Sequence, residues 1–197
     1  QGKCVKYWPE ECDGDLEIPV YGGMLKVAYV STKEHGDYTL REFELTKKIL
    51  KVILTTIYHY HYTSWPEVFV PKDPEPILSF LDVINDKQES LEEAGPIVVQ
   101  CSAGIGRTGT VIIIDLLRNQ IRLQGINCDI DIPQAIQKAR SYRSGLVQSE
   151  SQYKFIYQAI TLYVEILNFM HQGKVIMVHS FCFNFFYLSF SDLFFSL

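Results

Sequence analysis

Residues 96 to 125 read PIVVQCSAGIGRTGTVIIIDLLRNQIRLQG, and this run constrains the chain more than any other. PIVVQ is a short apolar segment of buried-strand length, the next residues are small, and TVIIIDLLRNQIRLQG follows with helical spacing. Strand, loop and helix in that order predict an α/β fold, here a mixed sheet flanked by helices. Val111, Ile112, Ile113 and Ile114 are consecutive, so the helix should be apolar all round near its start and cross the middle of the domain.

The loop itself points to an anion. Cys101 and Arg107 are separated by Ser102, Ala103, Gly104, Ile105 and Gly106, whose side chains, small at all but Ile105, let the backbone curl until successive N–H groups face one centre. Such a nest at a helix N-terminus binds a tetrahedral dianion and stabilises a neighbouring thiolate. The guanidinium of Arg107 can hold two phosphate oxygens while the sulfur of Cys101 stands behind phosphorus for in-line attack. The hydroxyl of Thr108 can hydrogen-bond the sulfur and ease its departure in a second step. The competing reading of the same residues is a tight strand-to-helix turn around a buried, inert cysteine.

Thiolate attack on a phosphoester also needs a proton for the leaving oxygen and then a base for water. One carboxyl group on a short loop can do both, and Glu67 in SWPEVFVP, framed by Trp65, Pro66 and Pro71, is the candidate. By itself such a glutamate reads as a solvent-facing residue of a proline turn. Gln148 and Gln152 in GLVQSESQY offer amides that could orient the water, although out of context they are ordinary surface residues. His59 and His61 lie on one strand face without a convincing third ligand, so neither a metal nor an organic cofactor is expected.

Upstream, alternation in MLKVAYV (24 to 30), YTLREFEL (38 to 45) and KVILTTIYHYHY (51 to 62) predicts three antiparallel strands, the first two joined through TKEHGD, residues 32 to 37. Ile77, Leu78, Phe80, Leu81 and Ile84 repeat at helical spacing after PKDPEP. Asp131 and Pro133 read as the start of another helix that ends in cations at QKARSYR, and a last helix is expected from about Ser149 to about Leu167. Residues 168 to 197 stand apart as an aromatic-rich tail; residues 175 to 197 hold seven of the twelve phenylalanines. That tail is long enough to span a bilayer, but His179, Asn184, Asp192 and four serines interrupt it. A non-native end, a segment packed on the domain and membrane contact all remain open for it.

A net charge of −5 gives no basic excess to attract nucleic acid. The five cysteines form no C-x-x-C pair and fit neither a disulfide framework nor a zinc site, which suits a reducing compartment. The first residue is glutamine and residues 1 to 20 lack a signal-peptide core, so a fragment with an upstream part missing is expected.

With these residues in place, the chain resembles the tyrosine-specific, cysteine-dependent protein phosphatases. The resemblance rests on KCVKYWP (3 to 9), HYHYTSWPEVFVP (59 to 71), CSAGIGRTG (101 to 109) and RSYRSGLVQSESQY (140 to 153), in the family's order. KQESLEEAGPIVV and CDIDIPQAIQKARSYRSGLVQSESQYKFIY look most like the cytoplasmic subgroup with paired Src-homology-two domains. The resemblance implies a cytoplasmic protein with a partial catalytic domain over residues 1 to 167, truncated on its N-terminal side, that hydrolyses phosphotyrosine in proteins without a cofactor. It places the nucleophile on Cys101, the phosphate arginine on Arg107, the thiolate-supporting hydroxyl on Thr108 and the water-orienting amides on Gln148 and Gln152. Phosphate-binding backbone falls on residues 102 to 106, the acid loop on Trp65, Pro66 and Glu67 with Lys3 as a lysine near that loop, and a basic pair at the rim on Arg140 and Arg143.

Several positions depart from the family pattern. Glu67 stands for aspartate, displacing the carboxyl by about one bond length, and an error of that order can cost about a hundredfold in rate. Phe69 replaces a hinge glycine, Val68 an aromatic or histidine, and Gln100 the histidine before the nucleophile. These changes predict a stiffer loop and a less ionised thiolate. They keep open an alternative, a catalytically impaired relative that binds phosphotyrosine or a partner protein.

Overall fold

The computed structural model describes residues 5–21, 23–47, 52–67, 69–92, 94–173 and 193–196. The chain divides into two compact units, one of residues 1–64, 86–102 and 189–197, the other of residues 65–85 and 103–188.

The first unit is a six-stranded mixed sheet. Its strands are β1 (Leu16–Val20), β2 (Gly23–His35), β3 (Tyr38–Lys47), β4 (Val52–Tyr62), β5 (Ile97–Gln100) and β6 (Leu193–Ser196), in the spatial order β1-β2-β3-β4-β6-β5. The first four are antiparallel, whereas β6 runs parallel to both β4 and β5. The hairpin expected between β2 and β3 is present, but its break is shorter than TKEHGD. Strand pairing continues to His35↔Tyr38, leaving Gly36 and Asp37 as the connection. The carbonyl of Asp37 accepts from the amide of Thr63 at 2.8 Å, which ties the turn to the end of β4.

Two strands lie beyond the three expected upstream and the one expected at PIVVQ. LEIPV forms β1, although Pro19 argues against a strand by removing an N–H donor. The proline is tolerated because β1 is the sheet edge and needs to pair only with β2. β6 comes from the aromatic-rich tail. Among the described residues β5 ends the sheet with β6 as its one neighbour, so β5 is half-buried with Val98 exposed rather than the fully buried strand its apolar run suggests.

Side chains alternate along β4. Tyr60 and Tyr62 are buried on one side. On the other, His59 and His61 stack on each other with centroids 5.9 Å apart, and Trp8 lies 5.0 Å from the His59 ring. The guanidinium of Arg41 sits 4.9 Å over the Trp8 ring.

The helices are α1 (Glu75–Glu89), α2 (Gly106–Gln124), α3 (Ile132–Tyr142) and α4 (Glu150–Gly173). The boundary between the units falls inside α1 and inside the loop after β5. Ile77, Leu78, Phe80, Leu81 and Ile84 of α1 are all buried, as their spacing predicts. In α2 the expected all-round burial is nearly complete: Val111, Ile113 and Ile114 are fully buried and Ile112 partly so. The Asp131 side chain accepts from the amide of Gln134 at 2.8 Å and caps α3 with Pro133 in the first turn. α4 ends at Gly173 rather than about Leu167. Its packed face stops near Leu167, and Asn168, Phe169 and Met170 are exposed, but the helix meets no breaker before Gly173.

Buried charge also shapes this unit. Arg118 is 2% exposed, contacts Asp82 and lies with its guanidinium 4.8 Å from the Tyr163 ring. Asp115 accepts from Asn85 at 2.8 Å, yet burial raises its pKa. No described helix is long and apolar enough to cross a membrane. Of the tail, residues 174–192 and Leu197 lie outside the described residues, as do Lys3 and Val68.

Candidate active site

In the second unit, the arginine of the loop and the acid-loop segment meet. Arg107 Nη2 donates to the carbonyl of Pro66 at 3.0 Å, and its guanidinium lies 5.9 Å from the centre of the Trp65 ring. Trp65 is 5% exposed and stands edge-on to Phe155 of α4, with centroids 5.7 Å apart. Its indole N–H donates to the carbonyl of Phe69 at 3.2 Å. The loop is therefore anchored at Trp65 and held at Pro66. Glu67, the next residue, has an exposed side chain.

Phe69 carries the cost of this arrangement. Its φ of 69° lies in the left-handed region that glycine enters freely and a side chain resists, and its ring is 76% exposed. The departure noted in the sequence thus appears as backbone strain, with little burial to offset it.

The glutamines come to the start of α2. A Cβ at Gly106 would meet Gln152 Nε2 at 2.9 Å and Gln148 Oε1 at 3.3 Å, so both amides crowd the face of the loop that glycine leaves open. Gln152 Oε1 accepts from the amides of Gln148 at 2.8 Å and Ser149 at 3.2 Å, capping α4 and fixing the turn that carries Gln148. Before it, Val147 is buried with φ 60°, an unusual conformation for a β-branched residue. Two contacts over-determine it: its amide donates to the Ile105 carbonyl at 3.1 Å, and its carbonyl accepts from Arg140 Nη2 at 2.9 Å. Gly109 permits the approach, since a Cβ there would stand 2.6 Å from the Val147 nitrogen.

Arg140 and Arg143, assigned to the rim by resemblance, spend donors on backbone. Arg140 Nε donates to the Leu146 carbonyl at 2.8 Å. Arg143 donates from Nε to the Gly104 carbonyl at 2.8 Å and from Nη2 to the Ala103 carbonyl at 3.3 Å. Turning these carbonyls toward Arg143 orients the loop's peptides, and Gly104 supports the bend with φ 66°. Ser102 and Ala103 are exposed, Ile105 is half-buried, and Thr108 is 4% exposed with no hydrogen-bond partner for Oγ1 among the described residues.

Cys101 belongs to the first unit, where it follows β5 directly and is half-buried. Gln100 before it donates from Nε2 to the Tyr7 hydroxyl, which in turn lies 3.5 Å from His59 Nε2. Sequence reasoning missed Tyr7; the signal available was KCVKYWP, whose aromatics had no assigned work. His59 is held neutral, with its pKa pushed down to about 3 by burial first and then by Arg41 and His61. Burial and Arg41 likewise lower that of His61. Both rings pack against Trp8, which also carries the Arg41 guanidinium over its face.

The chain belongs to the protein-tyrosine phosphatase family, whose model matches residues 1–162. It is similar to tyrosine-protein phosphatase corkscrew of Drosophila virilis, 46% identical over 169 residues that cover 84% of this chain and 21% of that protein. The Drosophila melanogaster corkscrew is 44% identical over 84% of this chain and 19% of its own length. Tyrosine-protein phosphatase non-receptor type ptp-2 of Caenorhabditis elegans is 33% identical over 83% of this chain and 30% of its own length. The chain thus spans under a third of the length of these relatives.

Proposed function

We propose that this chain carries the hydrolytic site of a cytoplasmic protein tyrosine phosphatase that works through a cysteinyl-phosphate. The observation that carries the reading is the grip of Arg107 on the Pro66 carbonyl at 3.0 Å, which keeps the phosphate arginine and the Glu67 loop together. The Cys101 thiolate attacks phosphorus as the bond to the tyrosine oxygen breaks, and the Glu67 carboxyl delivers a proton to that oxygen. Loop amides from Ser102 to Gly106 and the Arg107 fork hold the phosphoryl oxygens. The Glu67 carboxylate then takes a proton from a water oriented by Gln148, with Gln152 fixing the turn. Water oxygen bonds to phosphorus, the S–P bond breaks, and the thiolate returns with help from the Thr108 hydroxyl. The substrates are phosphotyrosine-bearing proteins, and no metal or organic cofactor takes part.

A second reading, a phosphotyrosine-binding relative with impaired turnover, is favoured by the strained Phe69 at the acid loop. Turnover of an aryl phosphate and binding of a phosphotyrosine peptide, measured on the chain and on Cys101→Ser, separate the two. Turnover abolished by the serine is expected; peptide binding without turnover in the unmodified chain would select the second reading.

A further inference from the structure

We infer that the gap between β4 and β5 is a strand-accepting slot, and that its occupant is this chain's own segment Leu193–Ser196. β4 and β5 are not neighbours; Tyr58 to His61 and Ile97 to Gln100 pair in parallel with opposite sides of β6. Among the described residues β6 is the sole strand neighbour of β5, so the attachment of β5 to the sheet runs entirely through the tail. β5 has four residues and a half-exposed pattern, too little to hold a strand without a ladder. The register sets Ser196 opposite Gln100, the residue before Cys101, and opposite His61 on the other side.

Main-chain hydrogen bonds make the affinity of such a slot, so its ligand class is an extended, apolar peptide running parallel to β4. LFFS has the aromatic, unbroken composition that strands favour, and its covalent tether gives it a high effective concentration. In a parallel strand, successive residues turn their N–H and C=O groups to opposite neighbours. Phe194 and Phe195 therefore serve different ladders, one toward β4 and one toward β5. The slot gives the aromatic tail a task that the catalytic reading leaves unassigned, and it holds whether or not the chain turns over phosphate.

Residue-resolved hydrogen exchange on the intact chain tests this. Amides of Ile97–Gln100 and Leu193–Ser196 are expected to open together in mild denaturant, with rates within about threefold of each other. Full-length Phe194→Pro and Phe195→Pro should each speed exchange about tenfold or more, one chiefly in β5 and the other chiefly on the slot side of β4, because proline removes a single ladder donor. The β2–β3 ladder should keep its protection. Free exchange of residues 193 to 196 beside a protected β5 would overturn the slot, as would wild-type rates in both proline variants. Equal effects of the two prolines on both ladders would overturn the two-sided pairing. Should both variants unfold, the co-opening measured on the unmodified chain decides.

Discussion

Replacing Phe69 by glycine should make the acid loop cheaper to hold. A side chain in the left-handed region costs about 1–2 kcal/mol, and φ at Phe69 is 69°. Glycine removes that cost but adds unfolded-chain entropy of about 0.5–1 kcal/mol. The ring is 76% exposed, so losing it forfeits little burial. The net expectation for Phe69→Gly is a gain of about 0.5 kcal/mol. Phe69→Ala is the control, since it removes the ring and keeps the strained Cβ. Glycine should exceed alanine by the same amount, about 0.5 kcal/mol, roughly a twofold change in the folding equilibrium. Urea unfolding followed by circular dichroism reads the difference in the helical unit. Under the phosphatase reading, aryl-phosphate turnover should also rise with little change in KM, because the hinge closes more easily. Glycine and alanine variants of equal stability, within about 0.3 kcal/mol, would refute the strain argument.

Three further outcomes follow from other sites. His59 stays neutral when folded, down to a pKa of about 3, while the unfolded imidazole takes its proton near 6.5. Stability should therefore fall as pH drops below 6.5, by about 2 kcal/mol at pH 5, and His59→Phe should flatten that slope in urea titrations at several pH values. Gly109→Ala drives a Cβ to 2.6 Å from the Val147 nitrogen, so it should cost about 1–3 kcal/mol and depress turnover through Gln148, checked by thermal unfolding and kinetics. Arg118 is buried, with no hydrogen-bond partner for Nε and Nη1 among the described residues, and its partner Asp82 is 60% exposed on the side chain. Arg118→Ala should cost about 3 kcal/mol through lost packing, and Arg118→Met less than half of that, measured by urea unfolding.

Much of the architecture was legible because local pattern and tertiary need agree. The alternation of β4, the caps and stops of α3, and the helical spacing of Ile77 to Ile84 each bury the face that periodicity predicts. The pattern misled where position in the sheet decides. LEIPV reads as a poor strand until it is known to lie at one end of the described sheet, and PIVVQ reads as buried until it is known to lie at the other. At the site, Cys101 and Arg107 could be singled out from spacing, because a loop that cradles phosphate leaves few alternatives for residue type, whereas Glu67, Gln148 and Gln152 drew their candidacy from the family resemblance. Tyr7, Arg140 and Arg143 could not be assigned their partners, since hydrogen bonds to backbone carbonyls or to a distant amide leave no periodic trace.

Residue identity alone determined the chemistry on offer: a thiol, a guanidinium, a carboxyl and two amides at family positions, with Gln100, Glu67 and Phe69 departing from them. Only the tertiary structure decided what those departures meet. Gln100 finds the Tyr7 hydroxyl, and Phe69 is forced to positive φ while its carbonyl accepts from Trp65. The sequence also left the aromatic tail open among three readings, whereas strand pairing places Leu193–Ser196 between β4 and β5. The reason is physical: side-chain chemistry is local to a residue, while strain and strand pairing depend on partners distant in the chain.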